Sequence, residues 1–462
     1  MAALLVRAAV AAAVAAAGLW ALHRAAARTI PAHLLHNPHL SVPDLFSAET
    51  AADLLALAKS MRTFPTNVAD LRFYSTANEH IGEAVPAEPD GSCSHPFLVP
   101  NSKREQCVLP GRIDIGKHYI LSGGVEGLKE SYGSLVSRVQ SFGAYLFDME
   151  SYPQIGALFG SDRFQEAAAG VCPPDKQVQD PFQFNFIINV PGQTVATHID
   201  GAYFWGANRF YFPQWLLAVM VFSGLFEDEF IDQVQVVGYF HEWEATADRA
   251  GEFVLWHNAS GPPSATAPHP GSGSAVDGSK SVHASSVYFP RAAFEAAGPD
   301  GPGRGLPAID KSTGAELRYV GDESWELIAG ASSGAPEVKA RYQTDDLRFS
   351  IVYRARCFAT DAEVERHAAQ RPEEMMTLPA ILRQLVAELV RRGRVASSAE
   401  AERLLEDTPD ARYALATRLM AEYLTYPLSG SALVPFNVCA LGALVPWLAP
   451  ALAPVCGTAI DS

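Results

Sequence analysis

The sequence predicts an α+β protein, a sandwich or jelly-roll core of short strands flanked by N- and C-terminal helices, with a hydrophobic segment at each terminus. Three observations predict it. Between 181 and 358 the chain is a succession of short runs rich in β-branched and aromatic residues, separated by turn residues and by no long helix. On either side of that stretch apolar residues recur at the spacing of amphipathic helices. The stretches 8–22 and 432–456 are almost wholly apolar. A chain of 462 residues, 48% apolar and 10% aromatic, has ample material for a large core.

The elements follow in order. Residues 1–40 contain Arg7, Arg24 and Arg28 and no acidic side chain, the pattern of a signal anchor, with a cleaved signal or an organelle transit peptide as the alternative. The region 41–180 reads as mainly helical: Ala48 to Arg62, Val125 to Phe147 and Phe164 to Ala169 are the helices, and 83–112 is loop. In the core, strands are expected over Phe182–Val190, Trp215–Phe222, Gln233–Phe240, Glu252–Trp256, Ser281–Phe289 and Arg348–Phe358. The Gly-, Pro- and Ser-rich stretch 259–280 reads as a surface loop. Helical periodicity returns over 359–430, with Ile381, Leu382, Leu385, Val386, Leu389 and Val390 on one face and Leu415, Leu419 and Tyr423 on another. The segment 431–456 carries Pro435, Pro446, Pro450 and Pro454, so it is either a kinked second membrane span or a tail packed on the body. These ends suggest a membrane-associated protein, with the endoplasmic reticulum as one location.

Lys+Arg 35 against Asp+Glu 51 leaves a formal charge of −16 spread along the chain, which speaks against a nucleic-acid partner. Six cysteines without a CxxC pair give no support for a zinc finger. Cys93 and Cys107 could pair in an oxidising compartment, which the count of cysteines does not decide.

The chemistry concentrates around FNFIINVPGQTVATHIDGAYFWG, where a strand, a Pro-Gly turn and a second strand end in His198-Ile199-Asp200. Side chains two apart on an extended segment share a face, so the imidazole and carboxylate can converge on one ion. Of the thirteen histidines only His198 has an acidic residue two places on. His283, in the β-branched run SVHASSVYF, supplies a second imidazole from a later strand; His257 is its rival, at a strand end entering a loop. Two imidazoles and one carboxylate on one face of a metal leave positions open for other ligands, the arrangement of non-haem iron(II) oxygenases. In LRFSIVYRARCF, Arg348, Ser350, Val352, Arg354 and Arg356 share one strand face, and Arg348 with Ser350 can grip a carboxylate together. Asn185 and Tyr203 lie where polar pocket residues are expected, and Phe204, Trp205, Phe210, Tyr211 and Trp215 where a substrate entrance is.

The order HxD, distal histidine, basic residue on the last core strand resembles the iron(II)- and 2-oxoglutarate-dependent dioxygenase superfamily, most like its prolyl-hydroxylase-type branch, over about 180–358. The resemblance implies a double-stranded β-helix (jelly-roll, cupin-like) core. It implies His198, Asp200 and His283 as iron ligands, and Arg348, helped by Ser350, as the anchor of the co-substrate's far carboxylate. Hydroxylation of a substrate coupled to oxidative decarboxylation of 2-oxoglutarate to succinate, with ascorbate as a possible auxiliary, is the implied activity. The family usually places its basic residue about ten positions after the distal histidine; here Arg348 requires an insertion over 291–345, and Arg291 is the alternative anchor. The substrate, peptide or small molecule, is open. Two other readings stand beside this one: a non-catalytic jelly-roll binding module tethered to a membrane, and a cupin-like metalloenzyme that needs no 2-oxoglutarate.

Overall fold

The computed structural model describes residues 29–66, 85–91, 99–100, 105–108, 141–146, 151–259, 262–289, 315–330 and 336–427, with scattered residues at both ends. Its largest element is a six-stranded antiparallel sheet in the order β1 (His39–Val42), β14 (Gly273–Val276), β11 (Gln233–Tyr239), β19 (Arg348–Phe358), β7 (Val178–Asn189), β6 (Phe142–Tyr145). A four-stranded antiparallel sheet runs β13 (Ser264–Thr266), β12 (Phe253–Leu255), β15 (His283–Ser285), β8 (Val195–His198). Side chains of β19 reach residues on β15 and just past β8, so the two sheets face one another across a pocket. A second four-stranded sheet, β18 (Glu337–Gln343), β17 (Ser324–Ala329), β16 (Ala315–Gly321), β2 (Thr63–Pro65), contains the hairpin around LRYVGDESWELIAG. Smaller pieces are β3 (Val85–Pro86), β5 (Gln106–Val108) and β4 (Val99–Pro100), and the pair β9 (Tyr203–Phe204) with β10 (Phe230–Ile231).

Strand alternation sorts the residues of the large sheet. Phe184, Phe186 and Ile188 of β7, Val234 and Val236 of β11, and Phe349, Ile351 and Tyr353 of β19 point away from the pocket into the main core. There they meet α1 (Ala48–Met61), α2 (Pro153–Phe159), α3 (Asp162–Ala169) and the Trp325 and Leu327 side chains of β17. The outer side of the smaller facing sheet is covered by α4 (Gln214–Ser223) together with α6 (Leu378–Arg391), α7 (Ser398–Leu404) and α8 (Pro409–Tyr423); a short α5 (Asp361–Ala368) follows β19. Cys172, just beyond α3, is disulfide-bonded to Cys357 of β19, closing a loop of 185 residues. Among the described residues no cysteine is free; Cys107 is disulfide-bonded, and Cys93 lies outside the described residues.

Four expectations need correction, the first being that the stretch 83–112, read as loop, carries the paired short strands β3, β5 and β4. Trp215–Phe222 is helix, not strand: a wholly apolar run between Pro213 and Gly224 has no amphipathic period, and Trp215 to Ser223 are all buried. Phe142–Tyr145, expected as the end of a helix, is the β6 edge strand paired with β7; the rest of that expected helix lies mostly outside the described residues. The stretch 259–280 is not simply a surface loop, since β14 is a fully buried inner strand. Its small residues are required there. A Cβ at Gly273 would lie 2.5 Å from Leu45 Cδ2 and 2.7 Å from the Val237 carbonyl oxygen.

The two apolar ends lie largely outside the described residues. Val14, Ala16, Ala17, Gly18, Trp20 and Ala21 are helical and exposed, and Pro446–Leu448 is one 3-10 turn. Among the described residues no helix is long and apolar enough to cross a membrane, so the spans expected at the ends gain no support.

Candidate metal centre

The Pro191-Gly192 turn, with Gly192 at φ 91°, sends the chain from the large sheet into the facing one, and β8 ends at His198. His283 of β15 sits directly opposite His198, which brings the ring centroids to 4.3 Å. Asp200, two residues on, places Oδ1 3.5 Å from His198 Nε2 and Oδ2 3.7 Å from His283 Nε2. The three donor atoms lie within 4.8 Å of one another, and all three side chains are largely buried.

Each imidazole is aimed by its own strand. His198 Nδ1 lies 2.7 Å from the Ala196 carbonyl and His283 Nδ1 2.8 Å from that of Ser281. A carbonyl can only accept, so Nδ1 carries a proton and Nε2 is the ring atom turned to the carboxylate, the one a metal would take. Burial, then the neighbouring His198, pushes the His283 pKa down to about 4, leaving it neutral at physiological pH. Burial pushes the Asp200 carboxyl up, but the Arg354 guanidinium and the two histidines outweigh it and hold it well below the usual carboxylate range. Arg354 Nη2 is 2.6 Å from Asp200 Oδ2, although that oxygen makes no aligned hydrogen bond.

One backbone feature escaped the sequence reading. The Asp200 amide donates to the Gly278 carbonyl at 2.8 Å, and a Cβ on Gly278 would fall 2.2 Å from Asp200 Oδ2 and 3.2 Å from His283 Cε1. Only glycine leaves the space beside the carboxylate open. The turn is held by buried Asp277, whose Oδ1 accepts from the Ser279 amide at 3.0 Å and whose Oδ2 accepts from the Gln233 amide at 3.1 Å. Two imidazoles, an ionised carboxylate with an oxygen that makes no aligned hydrogen bond, and a cradle that a methyl group would fill together fit a divalent ion with open coordination positions.

Arg348 opens the inward face of β19 and is 5% exposed. Its Nη1 donates to Ser285 Oγ at 2.9 Å and to Asn189 Oδ1 at 3.4 Å; its Nη2 lies 3.4 Å from the Tyr239 hydroxyl, with the guanidinium 5.0 Å from that ring's centroid. None of these partners is an anion. Among the described residues Arg348 Nε and Asn189 Nδ2 have no hydrogen-bond partner. A buried guanidinium ringed by neutral groups is the chemistry of a carboxylate subsite.

The remaining predicted residues are placed as follows. Ser350 is buried on the same face as Arg348 but donates to the Ile187 carbonyl at 3.1 Å; the hydroxyl that meets Arg348 is Ser285, two residues after His283. Asn185 faces the pocket and accepts from Gln183 Nε2 at 3.0 Å. Tyr203 packs between Phe182, at 4.8 Å, and Arg356, at 4.9 Å. His257 is outside the triad, 5.7 Å from the His39 ring, and Arg291 lies outside the described residues. Phe204 and Trp215 belong to the helical core, whereas Phe210 and Tyr211 are exposed. The partners Asn189, Ser285 and Tyr239 carry no motif of their own; their period-two places opposite Arg348 were the only available signal.

No family model and no curated protein sequence matches this chain. Among solved structures, a Pseudomonas putida prolyl-4-hydroxylase is 9% identical, with 69% of this chain and 92% of that chain covered and a TM-score of 0.27. A Trichoplax adhaerens prolyl hydroxylase in complex with a hypoxia inducible factor oxygen degradation domain peptide fragment is 8% identical (72% and 88% covered, TM-score 0.31). HygX from Streptomyces hygroscopicus, with nickel and 2-oxoglutarate bound, is 7% identical (69% and 83%, TM-score 0.28). At these identities and scores the chemistry has to come from the site itself.

Proposed function

We propose that the protein is a non-haem iron(II) oxygenase of the 2-oxoglutarate-dependent superfamily, built on a double-stranded β-helix formed by the two facing sheets. The observation that carries this reading is the pairing of a His198–Asp200–His283 triad with buried, anion-free Arg348 in one pocket. Bound iron with 2-oxoglutarate and oxygen supplies the oxidative chemistry, which ends in succinate, carbon dioxide and a hydroxylated substrate. The chain's own residues hold and orient. His198 and His283 present Nε2, Asp200 presents Oδ1, and the Ala196 and Ser281 carbonyls keep the rings aimed. Arg348, with Ser285 and Tyr239 fixing its fork, binds the far carboxylate of the keto acid, and the apolar cover on both sheets excludes bulk water. A cupin-like enzyme without a keto acid leaves Arg348 without a counter-charge, which favours the present reading.

The compartment belongs to the same proposal. The Cys172–Cys357 disulfide and the exposed Asn258 of the sequon Asn258-Ala259-Ser260 support a secretory lumen. The deciding measurement is succinate formation from 2-oxoglutarate by the full-length chain with and without iron(II). Iron-dependent succinate is expected. Metal bound without 2-oxoglutarate consumption would favour the cupin-like enzyme, and absence of both the non-catalytic module.

A further inference from the structure

The inward face of β19 carries a second buried guanidinium. Arg354 stands six residues beyond Arg348, roughly 20 Å along an extended strand, and its side chain is 6% exposed. Its only ion-pair partner among the described residues is Asp200, at 2.6 Å, the carboxylate of the metal triad. Nη1 lies 3.4 Å from Gln183 Oε1, and Arg209 Nη1 donates to that same oxygen at 2.9 Å. Two guanidiniums thus converge on one neutral amide oxygen beside the triad. Both also lie against the Phe182 ring, 5.8 Å and 5.9 Å from its centroid. Among the described residues, Asp180 pairs with Arg356 at 2.6 Å, and Asp232 pairs with Lys176 and Lys280.

The charges decide what else must bind. In the oxygenase reading, on which this inference rests, a divalent ion takes the charge of Asp200 and dianionic 2-oxoglutarate takes that of Arg348 and part of the ion's. Of the charges on the triad, Arg348 and Arg354, one positive charge then remains, that of Arg354, at a place where an uncompensated charge is costly. Arg348 enters the pocket at Ser285, whereas Arg354 touches the metal triad directly, so the unmatched charge is not at the keto-acid anchor. We propose that the substrate carries an anionic group, a carboxylate or phosphate, which Arg354 and Arg209 bind across Gln183 next to the reacting position. Phe210 and Tyr211, which follow Arg209 in the chain, are exposed.

The test uses the full-length chain. Mn(II) and then 2-oxoglutarate are titrated first, without oxygen; acetate and inorganic phosphate are then added at constant ionic strength while the melting temperature is followed. The loaded wild type is expected to show saturable stabilisation by at least one anion. Arg354→Gln should raise the half-saturating concentration at least tenfold, Arg209→Gln several-fold, and Arg354→Lys should restore part of the response. Stronger response to acetate identifies a carboxylate and to phosphate a phosphate ester; either supports the inference. Normal Mn(II) and 2-oxoglutarate binding with no anion response, or with one that survives Arg354→Gln and Arg209→Gln unchanged, overturns it and leaves the oxygenase reading intact. Loss of 2-oxoglutarate binding in Arg354→Gln but not in Arg348→Gln overturns it by making Arg354 the keto-acid anchor. Failure of the wild type to bind 2-oxoglutarate at all refutes the oxygenase reading, and the charge surplus goes with it. If Arg354→Gln does not fold, Arg209→Gln and Arg354→Lys decide the question.

Discussion

Replacing Arg348 by alanine tests the keto-acid anchor where the structure makes the effect largest. The guanidinium is 5% exposed, and its three hydrogen-bonding neighbours, Ser285, Asn189 and Tyr239, are neutral. A carboxylate bound there gives up its water to a single charged partner. Removing one member of such a buried pair typically costs ~3–5 kcal/mol, so Arg348→Ala should raise the dissociation constant for 2-oxoglutarate by about two to four orders of magnitude. Iron affinity should change little, since the residue does not touch the triad. Arg348→Lys should fall between, because an ammonium keeps the charge and loses the planar fork. Ser285→Ala removes a 2.9 Å bond to a charged group and should cost about 1.5–3 kcal/mol; Tyr239→Phe, at 3.4 Å, should cost about 0.5–1.5 kcal/mol. Calorimetric titration of 2-oxoglutarate into the Mn(II)-loaded protein under nitrogen measures all four. An Arg291→Ala variant that weakens 2-oxoglutarate binding more than Arg348→Ala does would refute the assignment and move the anchor to Arg291.

His198→Ala, Asp200→Ala and His283→Ala should each lower metal affinity by at least tenfold to a hundredfold and abolish coupled turnover, while His257→Ala keeps the metal; metal content after dialysis checks this. Gly278→Ala should do the same damage without touching a ligand, since its methyl group meets Asp200 Oδ2 at 2.2 Å; a variant that still binds metal like the wild type would count against the cradle. Buried His241, stacked on Trp243 at 3.7 Å, has its pKa pushed down to about 3 by burial. The unfolded chain takes up that proton near pH 6.5 and the folded one does not, so stability falls as the pH drops from 6.5 towards 3, by about 2 kcal/mol at pH 5; His241→Phe should flatten this part of the denaturation profile. Reduction of Cys172–Cys357, or its replacement by serine, should lower stability by about 2–4 kcal/mol, and glycosidase treatment of protein from secretory cells should shift its mass through Asn258; resistance to both would argue against the lumenal compartment.

Local periodicity made the shared faces of His198 with Asp200 and of Arg348 with Arg354 legible without a structure, whereas His283 and the role of Arg348 were expected only from the family resemblance. His198 and Asp200 share a face because a strand repeats every two residues, and the same period put Arg348 and Arg354 on one side of β19 and Phe349 and Ile351 on the other. Such facts need no partner strand. The neighbours of Arg348 are different: Asn189, Ser285 and Tyr239 come from three strands, and only the registers Arg348↔Asn189, Ser350↔Tyr239 and His283↔His198 bring them together. The helix over Gln214–Ser223 was equally illegible, because a run buried on all sides has no polar face to mark its period. Buried β14 looked like a loop because close approach by Leu45 and Val237 demanded the small residues that loops also favour. Gly278 passed as one more turn glycine until Asp200 was seen to lie where its side chain would be. Side-chain direction along one strand is set by bonds between adjacent residues; what stands opposite is set by pairing between distant ones, and that is decided only when the whole sheet closes.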